Sequence, residues 1–509
     1  MPRHRLARAA LLATVFVCAA CGLVYELSLV TLGSYLIGDT AAQASITLSV
    51  MVCSMGVGAL LAKPLRSHAA AAFVAVELAL AVVGGLSVAA LYASYAWLNI
   101  YTGTLVLAAA VIGMLVGAEI PLLMELLQKI REQEASSAVA DLFAADYVGA
   151  LLGGLAFPFL LLPVFGQIRG SLVVGVVNAI AGLALAFFFF RDQMTRGARH
   201  TLIAATVAVA CGLTGSYLYA DRFEATAQQA LFAHPIVWQT RTPYQQIVLT
   251  ESFSPFATTD TRLYLNGGLQ FSSVDEYRYH EALVHPVLAG PHRSVLVLGG
   301  GDGLALREIL RYPDIAEVTL VELDPAMIEL ARTEDRLTDL NRRAFDDQRV
   351  RVVNADAFTW LRGAPGLFDA VIVDLPDPDQ TSVAKLYSQE FYAMAANVLA
   401  PGARMVVQSG SPFFAPRSFW TIDATLRSAG LHTTPYHVDV PSFGDWGFVL
   451  ASAGAPPTPS LRSPGPLRSL DHTTLTAATV FPPDRRAVDP EVSTLMRPVI
   501  LDLQRQEWR

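Results

Sequence analysis

Two patterns of apolar and polar positions divide the chain. From Ala9 to about Ala220 nearly every window is apolar, and after Arg222 charged residues recur at the density of a water-soluble domain. In the first half about seven stretches approach the length a bilayer core requires. They fall at 9–36, 41–62, 69–97, 102–127, 142–165, 170–190 and 201–220, so residues 1–221 are expected to form a multi-pass helical domain. Basic residues gather in alternate connections. Arg3, Arg5 and Arg8 precede the first stretch, Lys63 and Arg66 follow the second, Lys129 and Arg131 the fourth, and Arg191, Arg196 and Arg199 the sixth, with Arg169 as the exception. That bias places the N-terminus in the cytoplasm.

The second half has shorter periods. Gln246 to Thr250 and Arg262 to Leu265 are short apolar or β-branched runs, and Asn266-Gly267-Gly268 is a hairpin signal. Residues 222–290 are therefore expected to hold a linker, a small antiparallel β cap and a helix. That helix reads DEYRYHEALVHPVL, with Asp275 as N-cap. Buried strands are expected at Ser294–Leu298, Glu317–Val321, Val350–Val353, Ala370–Val373, Arg404–Gln408, His432–Val438 and Phe448–Ala451. A helical stretch from Leu304 to Tyr312 separates the first two. Strand, glycine turn, helix, strand and acid predict a Rossmann-like sheet over 291–452. The segment PSFGDWGF at 441–448 is expected to be an active-site flap, and 453–509 a Pro/Ser-rich linker with a tail that folds back.

Composition supports the division. The chain is 53% hydrophobic and 16% charged, with a mean hydropathy of +0.43, too apolar for one soluble domain. A net charge of -8 and a pI near 5.7 give no nucleic-acid footprint. Cys18, Cys21, Cys53 and Cys211 all lie in apolar stretches and outline no disulfide framework. Glu26, Glu77, Glu119 and Glu125 lie in or at the ends of those stretches, where ionisable groups are costly. Of these, Glu26 and Glu119 with Pro121 are the candidates for an interior cation site. Gly149, Gly153 and Gly154 suit close helix packing.

The candidate chemistry lies at the carboxyl edge of the expected sheet. Gly299 and Gly301 let the backbone approach a ligand, and Glu322, about twenty residues on, can take both hydroxyls of a ribose. The third glycine of a dinucleotide fingerprint is replaced by Leu304, which favours an adenosyl ligand without phosphates. Asp302 within the turn suits a cationic group. Asp356 can accept from an adenine amino group, cap a helix, or do both. Asp374, Asp377 and Asp379 share one loop, DLPDPD. No His or Cys accompanies them and no calcium-loop spacing appears, so an organic cation such as a polyamine fits better than a metal.

With these residues in hand, 236–452 resembles the polyamine aminopropyltransferases, the spermidine and spermine synthase family. The motifs are Pro243-Tyr244-Gln245, LNGGLQ at 265–270, DEYRYHE at 275–281, GGGDG at 299–303, VELD at 321–324, NADA at 354–357 and the Asp374–Pro378 loop. The apolar half resembles the membrane region of bacterial versions fused to this enzyme. The resemblance implies that Gln245, Glu322, Asp356 and Ala357 hold the adenosyl donor, decarboxylated S-adenosylmethionine, a co-substrate and not a tightly bound cofactor. It implies that His280, Asp302 and Asp377 hold the amine acceptor, by default putrescine giving spermidine. Asp374 would accept the proton, Tyr279 would help hold the attacking amine, and Gln270 and Gln408 would line the pocket. No metal is required. Leu375 and Pro376 replace two serines of the familiar loop, Asp379-Gln380-Thr381 replaces Gly-Pro, and Phe443 stands where a tyrosine is usual. All these departures fall on the acceptor side.

A cytosolic donor bears on sidedness. Seven crossings from a cytoplasmic N-terminus would export the second half. The expectation is therefore a protein of the cell membrane with a cytoplasmic catalytic half, the seventh stretch being the weakest candidate to cross. Soluble members of the family are dimers or tetramers, so a homo-oligomer is expected by analogy. Two other readings use the same residues: a methyltransferase taking S-adenosylmethionine itself, and a membrane protein that binds or transports polyamines without catalysis.

Overall fold

The chain divides into two units of internal contact, Met1–Ala233 and His234–Arg509. The computed structural model describes every residue except 1, 38–39, 131–134, 190–193, 254–258, 364–365, 463–464, 488 and 509, and gives the backbone alone for 2–8, 129–130, 135–139 and 186–189. Arg131 and Arg191 lie outside the described residues, as do the side chains of Arg3, Arg5, Arg8 and Lys129.

The first unit is helical: α1 (Pro2–Ile37), α2 (Thr40–Leu61), α3 (Ala69–Ala93), α4 (Tyr101–Ile130), α5 (Ala135–Ala156), α6 (Leu162–Phe189) and α7 (Arg196–Gln229). Among the described residues, six stretches are long and apolar enough to cross a membrane, and Ala140–Leu185 is one of them. The fifth and sixth expected stretches merge there, broken by Gly166 at φ 71°. A left-handed residue does not continue an α-helix, and glycine adopts it at no steric cost. Small residues do the packing. A Cβ on Gly149 would lie 2.2 Å from the Phe16 carbonyl of α1, and one on Gly117 would lie 2.0 Å from the Met55 carbonyl of α2. The seventh stretch proves to be a 34-residue helix that meets the length and composition of a crossing. Thr206, Leu213, Ala220 and Ala227 are buried along it, one every seven residues, which is a narrow seam. The helix continues through the boundary expected at 221/222, because no glycine or proline stops it before Gln229.

The second unit opens with β1 (Ile236–Arg241), β2 (Gln246–Phe253), β3 (Thr259–Leu265) and β4 (Gly268–Ser272), an antiparallel sheet in that order. Next come α8 (Glu276–Leu288), β5 (Ser294–Gly299), α9 (Leu304–Ile309), β6 (Glu317–Glu322), α10 (Pro325–Thr333), α11 (Asp335–Asn341) and β7 (Val350–Asn354). The chain continues through α12 (Ala357–Arg362), β8 (Phe368–Asp374), α13 (Thr381–Ala384), α14 (Gln389–Asn397), β9 (Leu399–Gln408) and α15 (Pro416–Ser428). It ends with β10 (His432–Val440), β11 (Gly444–Ser452), α16 (His472–Ala477) and α17 (Val499–Glu507). The second sheet has seven strands in the order β10-β11-β9-β8-β5-β6-β7. Its β9-β8-β5-β6-β7 portion is parallel, and β10 and β11 are antiparallel additions. Val295, Leu296, Val297 and Leu298 of β5 are fully buried, the unbroken apolar run expected of a parallel strand covered on both faces.

The tail folds back, and two carboxylates pin it. Glu281 of α8 accepts from the Arg468 and Ser469 amides at 2.7 and 2.8 Å. Glu507 of α17 accepts from the Arg417 and Ser418 amides at 2.9 Å each, satisfying the open N–H groups at the start of α15.

Candidate active site

Parallel register sets the strand tips level. Gly299 of β5 is opposite Asp374 of β8, and Glu322 of β6 is opposite Asn354 of β7. The turn after β5 is pressed against both neighbours. A Cβ on Gly299 would meet the Asp374 carbonyl at 2.1 Å, and one on Gly301 would meet the Glu322 carboxylate at 2.8 Å. Gly299 and Gly303 also have φ near 85° and 81°, so only glycine allows this approach. The turn ends at Asp302, whose Oδ1 accepts from the Leu304 amide at 2.9 Å and starts α9.

On the β5–β8 side, the Tyr279 hydroxyl donates to Asp374 Oδ1 at 2.6 Å. Burial, reinforced by the charge of Asp302, pushes the Asp374 carboxyl up to about 6. Burial also raises Asp302, against the opposing pull of His280. The Tyr279 phenol is pushed well above its ordinary value by burial and by Asp374, so it stays a donor. Its ring is held between His280 and Phe448, with centroids at 5.0 and 5.3 Å. Phe443 lies at 6.3 Å.

His280 Nδ1 lies 2.8 Å from the Glu276 carbonyl and 2.9 Å from its carboxylate. Both are acceptors, so Nδ1 carries the proton. Burial alone would lower the imidazole, but Glu276, helped by Asp302 and Asp374, raises it. Arg307 clamps both Glu276 oxygens at 2.8 and 2.9 Å. Sequence reasoning gives Glu276 only as part of the DEYRYHE motif and misses Arg307. The available signal is an arginine on the helix after the glycine turn.

Asp377 lies further along the DLPDPD loop. Gln408 Nε2 donates to its Oδ1 and Gln504 Nε2 to its Oδ2, each at 3.2 Å. Burial pushes this carboxyl up to about 6, with Gln408 opposing. Gln408 also donates to the Leu375 carbonyl at 2.6 Å, and the Tyr387 hydroxyl donates to the Pro376 carbonyl at 3.0 Å. Together they fix the loop. Gln408 is 2% exposed, so it braces the loop instead of presenting a free amide. Sequence reasoning also misses Gln504; nothing in the tail sequence marks it.

On the β6–β7 side, Glu322 Oε1 accepts from the Asp324 amide at 2.9 Å, and burial pushes its carboxyl up to about 7. Gln245 donates to Asp324 Oδ2 at 3.1 Å, beside Thr242 at 2.8 Å, which ties the β cap to the β6 tip. Asp356 both caps α12, through the Thr359 amide at 2.8 Å, and pairs with Lys385 at 2.7 Å. Against its burial, Lys385 holds this carboxyl below its ordinary value. Ala357 follows it at the buried start of α12.

Two expectations need correction. Asp275 precedes α8 but makes no cap bond to it. Its carboxylate accepts instead from the Ser442 amide and hydroxyl at 2.6 and 2.9 Å. Residues 441–448 are no flap: β11 already begins at Gly444, paired with Val440 in a tight hairpin. The alternating residues of Trp446 to Ala451 belong in the sheet, and only Pro441, Ser442 and Phe443 make the turn. Gln270 stays in its own hairpin, bonded to the Gly268 carbonyl at 3.1 Å. A surface cleft of about 680 Å³, lined in part by Arg278, Phe413, His437 and Asp445, contains none of these acids.

Similarity to known proteins agrees with this architecture. Residues 276–460 match the spermine/spermidine synthase domain. Polyamine aminopropyltransferase 1 of Streptomyces coelicolor is 58% identical over 507 residues, covering 99% of this chain and 96% of the relative. Polyamine aminopropyltransferase of Mycobacterium tuberculosis is 52% identical over 513 residues, covering 98% and 97%. A solved spermidine synthase in complex with the transition-state analogue AdoDATO aligns with 48% of this chain and 85% of its own, at 25% identity and a TM-score of 0.44. The chain belongs to the polyamine aminopropyltransferase family, and its activity is aminopropyl transfer. The methyltransferase and non-catalytic readings are set aside by the length and level of that identity.

Proposed function

We propose that the donor is decarboxylated S-adenosylmethionine and the acceptor putrescine, giving spermidine and methylthioadenosine. One observation carries the reading. Among the described residues neither Asp374 nor Asp377 has an ion-pair partner, and their bonds come from neutral Tyr279, Gln408 and Gln504. Elsewhere in the unit, Glu276 has Arg307, Glu308 has Arg311 and Asp356 has Lys385. Buried acids without cations are costly unless a ligand brings positive charge, and a diamine brings two such charges.

Glu322 takes the ribose hydroxyls, with Gln245, Asp356 and Ala357 around the adenosyl group and Gly299 and Gly301 giving it room. Asp302 helps hold the diamine and also repels a donor carboxylate, which favours the decarboxylated form. His280 and Asp377 hold the diamine. An alkylammonium has a pKa of roughly 10 and must lose a proton to attack. The amine nitrogen then bonds to the carbon next to sulfur as the C–S bond breaks, and that electron pair stays on sulfur. The surplus proton passes to Asp374, which Tyr279 orients. Asp374 is a modest base, so most of the acceleration comes from orientation and charge placement. Methylthioadenosine release by the purified full chain tests this. Release that needs both decarboxylated donor and diamine supports it; equal turnover with S-adenosylmethionine overturns it.

The helical unit is placed in the cell membrane, with the catalytic unit on the cytoplasmic side. Arg169, the exception to the charge bias, pairs with Asp221 at 2.6 Å and lies 5.0 Å over the Tyr217 ring. Protease added outside intact cells should leave the second unit whole, and cleavage there would reverse the placement.

A further inference from the structure

Three helices of the first unit bring one reactive group each to a single point: Cys18 from α1, Glu77 from α3 and Glu119 from α4. One ligand atom from each lies within 4.8 Å of the others. Cys18 is 1% exposed, Glu77 0% and Glu119 5%. Cys18 and Asn178 lie close enough to the Glu77 carboxylate to influence it, but neither of its oxygens has a hydrogen bond of normal geometry, and neither does Glu119 Oε1. The surroundings repeat the deficit. Asn178 of α6, fully buried, donates Nδ2 to the Glu77 backbone carbonyl at 3.3 Å and leaves its Oδ1 unpartnered. The hydroxyl of Tyr25, two turns along α1 from Cys18, is buried without a partner as well.

Two adjacent carboxylates in an apolar bundle repel each other and lose their hydration. A proton on one would remove the repulsion but leave the other oxygens and Asn178 Oδ1 unbonded. One small cation answers all of them together. A thiolate beside two carboxylates suits a borderline ion of the zinc type better than calcium or magnesium, which prefer oxygen alone. An organic ammonium gains nothing from the sulfur, and the helices around the cluster pack closely. A Cβ on Gly182 would come 2.7 Å from Glu77 Cβ, and one on Gly84 would come 2.7 Å from the Tyr25 ring.

We propose that Cys18, Glu77 and Glu119, with Asn178 Oδ1 as a further donor, bind a divalent transition-metal ion inside the helical unit. The ion neutralises the two acids and ties α1, α3, α4 and α6 together. It takes no part in aminopropyl transfer.

The test uses the full chain purified in detergent without chelator and loaded separately with zinc and cobalt. Elemental analysis should find about one ion per chain after dialysis. Cys18→Ser and Glu119→Gln should each weaken zinc by roughly 10–100-fold or more, while Glu26→Gln, a partly buried acid outside the cluster, leaves it unchanged. Should either variant fail to fold, the cobalt form of the unaltered protein still decides: it should show sulfur-to-cobalt charge transfer. No retained ion, no sulfur band, or full retention in both variants would overturn the proposal.

Discussion

The two sides of the candidate site, the proposed donor and acceptor sides, treat negative charge in opposite ways. On the donor side, Asp356 has Lys385 and a helix start, and Glu322 has a backbone amide. On the acceptor side, Asp302, Asp374 and Asp377 lean on neutral partners and, in the case of Asp302 and Asp374, on each other's repulsion. The donor side is complete before ligand arrives, whereas the acceptor side waits for charge. The difference explains how one sheet edge can accept two cationic molecules in separate places. On the proposed roles, the donor would be held largely by its neutral nucleoside, and the acceptor by its charge.

The sharpest way to break this comparison is at Asp374. Asp374→Asn should lower turnover by more than about a hundredfold while calorimetric donor binding survives, and unchanged methylthioadenosine release would remove the proton-acceptor role. Next, Glu322→Gln should weaken the donor by about tenfold or more, the loss of a charge-assisted hydrogen-bond pair. With its carboxyl near 7, donor affinity of the native enzyme should also fall as pH drops below 7. Equal donor affinity in the glutamine variant would cancel the ribose assignment.

Asp302→Asn can keep the bond to the Leu304 amide but removes the charge that adds to burial in raising Asp374. It should raise the diamine KM about tenfold, the loss of one ion pair to a buried charge. The acid limb of kcat/KM, expected near the Asp374 carboxyl at about 6, should move to lower pH; an unmoved limb would separate the two acids. Gln504→Leu should have the smallest kinetic effect, a few-fold rise in diamine KM with donor binding intact. A change in donor binding would show that α17 acts more widely.

Stability should run against activity on the acceptor side. Unfolded carboxyls titrate near about 4, and folded Asp374 and Asp377 near 6. The folded state therefore holds these protons more tightly. Their contribution to stability is present at acid pH and is lost as pH rises through about 6. Asp374→Asn should consequently slow amide hydrogen exchange in β5 and β8 at pH 7; faster exchange would contradict the repulsion.

Much of the fold is legible in local pattern. Every expected strand of the second sheet is present; the parallel ones read as short, mostly apolar runs that end in glycine, an acid or another polar residue. The segment 441–448 misleads because Pro, Gly and Asp imitate a loop while Trp446 and Phe448 belong to a strand. Asp302, Asp374 and Asp377 stand out as acids in a glycine turn and a proline-stiffened loop, their separate roles come from the family resemblance, and the structure brings Asp302 and Asp374 together. Arg307 and Gln504 are not, since their roles depend on how α9 and α17 pack, and no periodicity encodes that. The same holds in the helical unit. The sequence groups Glu119 with Glu26, but the rotation of α1, α3 and α4 brings Glu77 and Cys18 to it instead.

The stretch DEYRYHE has a consequence for how the gene can vary. Within seven positions it anchors the β10–β11 turn through Asp275, clamps Arg307 through Glu276, touches Asp374 through Tyr279, positions His280 and pins the tail through Glu281. Each residue added to a helix rotates every later side chain by about 100°. A single inserted codon after Tyr277 would swing Tyr279 and His280 away while Asp275 kept its grip. Point substitutions here are graded losses, but an in-frame change of length should be all or nothing.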